Sequence, residues 1–239
     1  MRRIFLSFLL FTGLITTSVA QRVINDANVE KRTVGSFHGV NVATGIELTL
    51  TKGETEEVAV SASETRFRDK IITEVVNGVL KIYYETKTGA INRKNENKRL
   101  KAYISYKSID LLHVTTGAEV KIEGLLEAAS LELKANTGGL LKGEIKIGTL
   151  NVNQNTGSKI TLSGTVDILE AEGDTGSKFM GDDLITNTCI VNMSTGAGIH
   201  ISVEKELNVR ADTGGYIKYR GNAGIREIKT NTGGSVSKI

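Results

Sequence analysis

Residues 150–179 read LNVNQNTGSKITLSGTVDILEAEGDTGSKF, and this stretch decides the fold. Apolar and polar residues alternate up to Asn155-Thr156-Gly157, alternate again beyond it, and reach Asp174-Thr175-Gly176 nineteen residues later. Alternation with a period of two is the signature of strands with one dry and one wet face. Working outward, Thr-Gly recurs at Thr116, Thr137, Thr156, Thr175, Thr195, Thr213 and Thr232, in steps of 21, 19, 19, 20, 18 and 19 residues. A self-similar period of about 19 residues built from strands specifies a solenoid, in which each coil buries its apolar face only by stacking on its neighbours.

Aligning the copies separates the faces. Four residues before each threonine stand Leu112, Leu133, Val152, Ala171, Val191, Val209 and Ile228. Four after stand Val120, Leu141, Ile160, Phe179, Ile199, Ile217 and Val236. These columns are expected to form core ladders. Three before each threonine, on the opposite side of the strand, stand His113, Lys134, Asn153, Glu172, Asn192, Arg210 and Lys229, a polar column that faces solvent. Coils stacked in parallel at about 4.8 Å make a body about 29 Å long over these six intervals. The glycine after each threonine is expected to supply a corner where a Cβ would clash. The residues just before, Thr115, Asn136, Asn155, Asp174, Ser194, Asp212 and Asn231, can bond their own backbone or the equivalent group one coil away.

The rest of the 239-residue chain bounds the function. Aromatic residues make up 5% with no Trp, so platforms for stacking bases or sugars have little material. Proline is absent against 26 glycines, so turns fall to Gly, Asn and Asp. One cysteine excludes an internal disulfide and a multi-thiolate zinc site. Residues 1–20 read as a secretory signal peptide: Arg2 and Arg3, an apolar run, then Ser18-Val19-Ala20 at the cleavage position. Gln21 follows in place of the cysteine that would anchor a lipoprotein. Without the two arginines, 28 basic residues face 27 acidic ones, a balance that steers the chain toward neither nucleic acid nor anionic membranes. No later run is long enough to span a bilayer. The expected location is beyond the inner membrane: periplasmic, cell-surface or secreted.

Residues 21–33 form a lead-in. Residues 34–108 are β-rich but off the 19-residue period, with short strands over 40–42, 46–50, 58–60, 71–76, 80–84 and 102–106 and turns at Lys52-Gly53 and Asn77-Gly78. This part is expected to cap or continue the solenoid of 109–239. Residues 87–99 lack apolar periodicity and carry five basic side chains, the pattern of a surface loop.

Phe37-His38-Gly39-Val40-Asn41-Val42, Thr44-Gly45-Ile46-Glu47-Leu48-Thr49-Leu50, Lys52-Gly53, Ile72-Thr73-Glu74-Val75, Asn77-Gly78-Val79-Leu80-Lys81-Ile82 and the closing Asn231-Thr232-Gly233-Gly234-Ser235-Val236 together resemble the head GIN domain family of auto-transporter adhesins. The resemblance runs from about residue 34 to 239. It implies an exported protein and an all-β, right-handed parallel β-helix, and it brings no catalytic or ligand residues with it. A translocating barrel would require many further strands, so self-translocation is not expected.

No catalytic, cofactor-binding or metal-ligating residue is assigned. Cys189 falls six residues before Thr195, where other coils carry Leu131, Leu150, Leu169 and Leu207, so it reads as core. His38, His113 and His200 are scattered over different coils or sub-regions. Glu170, Glu172, Asp174, Asp182 and Asp183 form the best candidate for chemistry, an acidic patch that could hold a weak calcium ion but reads first as a solvated face. Because parallel β-helices include polysaccharide lyases, Glu172 and Arg210, on one column with Asn192 between them, are the alternative enzymatic pair. The expected function is a non-enzymatic binding or structural module directed at glycans or envelope components. Self-assembly is a further alternative, since the last coil exposes an unpaired edge unless something covers it.

Overall fold

The computed structural model describes Asp26 and residues 28–86 and 96–239. The signal segment 1–20 and most of the basic loop, residues 87–95, lie outside the described residues. The fold is a parallel β-solenoid whose strands, among the described residues, join in a single hydrogen-bonded sheet. Its middle consists of β9 (Glu119–Ala135), β10 (Leu140–Gln154), β11 (Lys159–Gly173), β12 (Lys178–Met193) and β13 (Gly198–Ala211). Neighbours pair in parallel, and the coil-to-coil register is the sequence period: Val152 lies beside Ala171, Ala171 beside Val191, and Val191 beside Val209.

Both predicted core ladders are buried through the middle coils, with Leu133, Val191, Ile160 and Phe179 at 0% exposure. Each long strand also bends within its length. In β10 the inward positions run Leu141, Ile145 and Ile147, then change parity to Leu150, Val152 and Gln154. Each coil therefore has three short faces between successive Thr-Gly corners, and the interior fills from all three.

At every corner both residues have positive φ: Thr156 is at 48° and Gly157 at 68°. The expected reason for this glycine needs correction. A Cβ on Gly157 would meet nothing within 4 Å, so the requirement is the sign of φ and not crowding. Crowding falls on the next position in the coils where it too is glycine: a Cβ on Gly139 would lie 2.5 Å from the Val114 carbonyl oxygen, whereas Ala118, Ser158, Ser177 and Ala197 fill that position elsewhere. The corners stack through the backbone, the glycine N–H of one coil donating to the threonine carbonyl of the next, as from Gly157 to Thr175 at 3.0 Å.

The N-terminal part both continues and closes the solenoid. In it, β2 (Gly39–Val42) and β3 (Glu47–Lys52) flank an eighth corner, Thr44-Gly45, and pair in parallel with β8 (Leu111–Val114) and β9. Outside that coil lie β6 (Val79–Tyr84) on β2 and β7 (Lys101–Tyr106) on β3, again parallel. The chain then reverses. β5 (Ile71–Val76) pairs antiparallel with β6 through the Asn77-Gly78 turn, β4 (Glu57–Ser61) pairs antiparallel with β7, and β1 (Glu30–Arg32) pairs antiparallel with β4. One helical turn, α1 (Thr65–Arg68), joins β4 to β5 and buries Phe67. At the other end β14 (Tyr216–Arg220) and β15 (Gly224–Thr230) form the last full coil on β13, and β16 (Ser235–Lys238), past the Thr232-Gly233 corner, begins another on β14.

Candidate functional site

The strand run before the Thr-Gly corner carries the polar column, and there the surface dips. Asn153, Glu172, Asn192 and Arg210 stand in register on successive coils, each exposed, and with the adjoining corner residues they line an open depression of about 540 Å³. The column exists because the strand alternates: the residues on either side of each member, such as Ala171 and Gly173 around Glu172, point inward.

The corner side chains form the groove's second wall. Asn155 Oδ1 accepts the Thr156 N–H at 2.7 Å, and Asp174 Oδ1 accepts the Thr175 N–H at 2.7 Å and the Ser194 hydroxyl at 3.1 Å. These are the local and inter-coil bonds anticipated for this column. Hydrogen bonds from Thr195 first, then from the Thr175 amide, hold the Asp174 carboxyl below its ordinary value of 3.8. Asp212 is lowered first by the hydrogen bond from the Arg210 guanidinium and then by Asn231 of the following coil. Arg210 Nε donates to Asp212 Oδ2, so the cation leans toward its own corner. Glu172 and Arg210 are two strands apart, about 10 Å at ordinary strand spacing. The groove is therefore a strip of amides, carboxylates and one guanidinium suited to hydrogen bonding with a hydroxylated or amide-bearing ligand.

The five-residue acidic patch is not a single patch. Glu170 and Glu172 lie on β11 beside Ile190 and Asn192, and Asp174 belongs to the corner wall. Asp182 and Asp183 fall elsewhere, at a bend of β12 where the register to β11 and to β13 shifts. There Asp182 Oδ1 faces His200 Nδ1 at 3.3 Å, its carbonyl accepts from Arg220, and Asp183 lies 3.7 Å from the same guanidinium. Nearness in sequence made the five look contiguous, and the corner and the bend separate them. Among the described residues no group of three or more His, Cys, Asp or Glu side chains converges as a metal site.

The remaining candidates are dispersed. Cys189 is fully buried in the column of Leu131, Leu150, Leu169 and Leu207, and desolvation pushes its thiol up to about 12. Thr186 Oγ1 lies 2.8 Å from its sulfur. His38 pairs with Asp110 at 2.6 Å on the surface, a contact that raises its pKa, whereas burial lowers that of His113. Gln154 is a feature the sequence reading passed over: it occupies an inward position and donates from Nε2 to the Lys178 carbonyl at 3.1 Å. Its signal was a polar residue on a column that holds Val114, Ala135, Gly173, Met193 and Ala211 in the other buried coils, with Thr230 in the exposed last one.

With this geometry in hand, the likeness to known proteins is specific. The family model described as "putative auto-transporter adhesin, head GIN domain" matches residues 36–223. The chain belongs to this family. Solved structures share the fold at low sequence identity. A "putative adhesin" from Bacteroides fragilis has a TM-score of 0.75 at 16% identity, covering 88% of this chain and 96% of that one. A "putative lipid binding protein" from Parabacteroides distasonis has a TM-score of 0.67 at 18% identity, with coverage of 89% and 97%. A "putative adhesin" from Parabacteroides merdae has a TM-score of 0.67 at 12% identity, with coverage of 90% and 97%. No curated protein matches the chain in sequence. Within this head GIN domain chain, no helix among the described residues is long and apolar enough to cross a membrane.

Proposed function

We propose that this head GIN domain protein is an exported, non-enzymatic binding module of the cell envelope, and that its ligand is a glycan lying along the Asn153, Glu172, Asn192 and Arg210 column. The carrying observation is the open groove, in which outward polar side chains repeat at the coil spacing beside a wall of hydrogen-bonded corner residues. A linear oligosaccharide presents hydroxyls along its length, so a regular strip of donors and acceptors can engage several sugar units. Family membership and the solved relatives described as adhesins favour surface binding over catalysis.

The test is a glycan array with the residue 21–239 protein, with calcium and with chelator, and with mass analysis of the eluted sugars. Saturable binding of intact sugars that falls about tenfold or more in Arg210→Gln and Glu172→Gln is the expected result, a loss of the size usual for hydrogen bonds to charged groups. Unsaturated sugar fragments would replace this reading with a lyase. A blank array would remove glycans as the ligand.

A further inference from the structure

We propose that the C-terminal coil is a self-association surface through which two copies of this chain pair tail to tail about a two-fold axis, β15 against β15. The starting observation is an exposed core end. Among the described residues, β15 pairs only with β13, and β16 only with β14, leaving one edge of each bare. Ile225 and Ile228 stand over Leu207 and Val209 on the inward ladders, yet they are 52% and 41% exposed where the residues beneath them are at 0% and 1%. A bare strand edge with open apolar positions is a template for adding another strand.

The strand's own sequence selects the occupant. β15 reads GIREIKT, and it pairs with itself in antiparallel register so that Arg226 lies opposite Glu227 of the second copy. That same register sets Ile225 opposite Ile228 and Gly224 opposite Lys229. Residues directly opposite one another in an antiparallel pair lie on the same face. β15 satisfies this because its register on β13 shifts between Leu207 and Asn208, which puts Ile225 and Ile228 on the inward side with Arg226 and Glu227 between them.

One two-fold operation thus creates two isoleucine pairs that continue the core and two opposite-charge pairs outside it. Within each chain Arg226 already meets Glu206, and Lys229 meets Glu227, so the charges would alternate along the joint: Glu206, Arg226, then Glu227 and Lys229 of the second copy. An isologous contact of this kind closes at two copies. The cross-section of one coil is small for an interface, so association should depend on concentration.

Sedimentation analysis of the residue 21–239 protein from about 1 μM to about 1 mM tests the proposal. The mass should rise from one chain to two and stop. R226E and E227R should each weaken association about tenfold by setting like charges opposite one another, and the double variant R226E/E227R should restore it because the reversed charges again match. Both positions are exposed residues of β15, and unchanged circular dichroism verifies that the variants fold. Ile228→Lys should leave a single chain throughout. A single-chain mass for the unaltered protein across the whole range would overturn the proposal. So would growth beyond two copies, or a dimer that the charge reversals do not move. The glycan groove is untouched by these substitutions, so its test reads independently.

Discussion

At the N-terminal end Phe67 and Ile71 are buried to 4% and 2% exposure, whereas at the C-terminal end Ile225 and Ile228 are left at 52% and 41%. Both ends are made of strands from the same sheet, and they differ in what the chain does after the last parallel strand. On the N-terminal side it doubles back: β4 and β5 run antiparallel to β7 and β6, and α1 carries Phe67 into the core between them. An antiparallel return brings its own side chains over the open end of the coil. On the C-terminal side the described chain only repeats the coil, and a repeat cannot cover itself. Closing a solenoid therefore takes a departure from the period, and β4, α1 and β5 are that departure.

The contrast can be broken by substitution. Phe67→Ala is expected to lower the unfolding free energy by about 3–5 kcal/mol, the range for emptying a buried aromatic site, while Ile228→Ala should cost under about 1 kcal/mol because much of its side chain already meets water. Urea denaturation of the protein at low concentration checks both. Equal losses would mean that the C-terminal coil is covered in solution.

A smaller effect sharpens the same contrast at the corners. Gly157 and Gly233 have φ of 68° and 75°. A Cβ on Gly157 meets nothing within 4 Å, and on Gly233 only the Gly214 amide nitrogen at 4.0 Å, so Gly→Ala at either probes the backbone alone. Gly157→Ala should cost about 1 kcal/mol of global stability. Gly233→Ala should move the global transition by less than about 0.3 kcal/mol, since the end coil opens without unfolding the rest. The same denaturation series measures this pair.

The period was legible because seven copies carry it, and the register of the five long strands is the one the Thr-Gly spacing dictates. The first coil was harder to see. Its corner Thr44-Gly45 stands 72 residues before Thr116, and the strands that lie outside it, β6 and β7, come later in the chain than β2 and β3. Order along the sequence then no longer gives order along the axis. The mid-coil bends were hidden for a different reason: their glycines fall at two offsets, eight residues after the corner threonine at Gly124 and Gly164 and six after it at Gly143 and Gly181, so no single glycine column runs through all the coils. That is also why Asp182 and Asp183 were grouped with Glu170 and Glu172. The Glu172, Asn192 and Arg210 column was legible because it lies within four residues of the corner, where no bend or bulge intervenes.

Hydrogen exchange read coil by coil at low micromolar concentration tests the closed-and-open account most directly. The account predicts slow exchange through β6, β7 and the long strands β9 to β13, and fast exchange in β15 and β16, whose outer edges are bare. Protection of β15 and β16 equal to that of β11 and β12 in the dilute protein would contradict it.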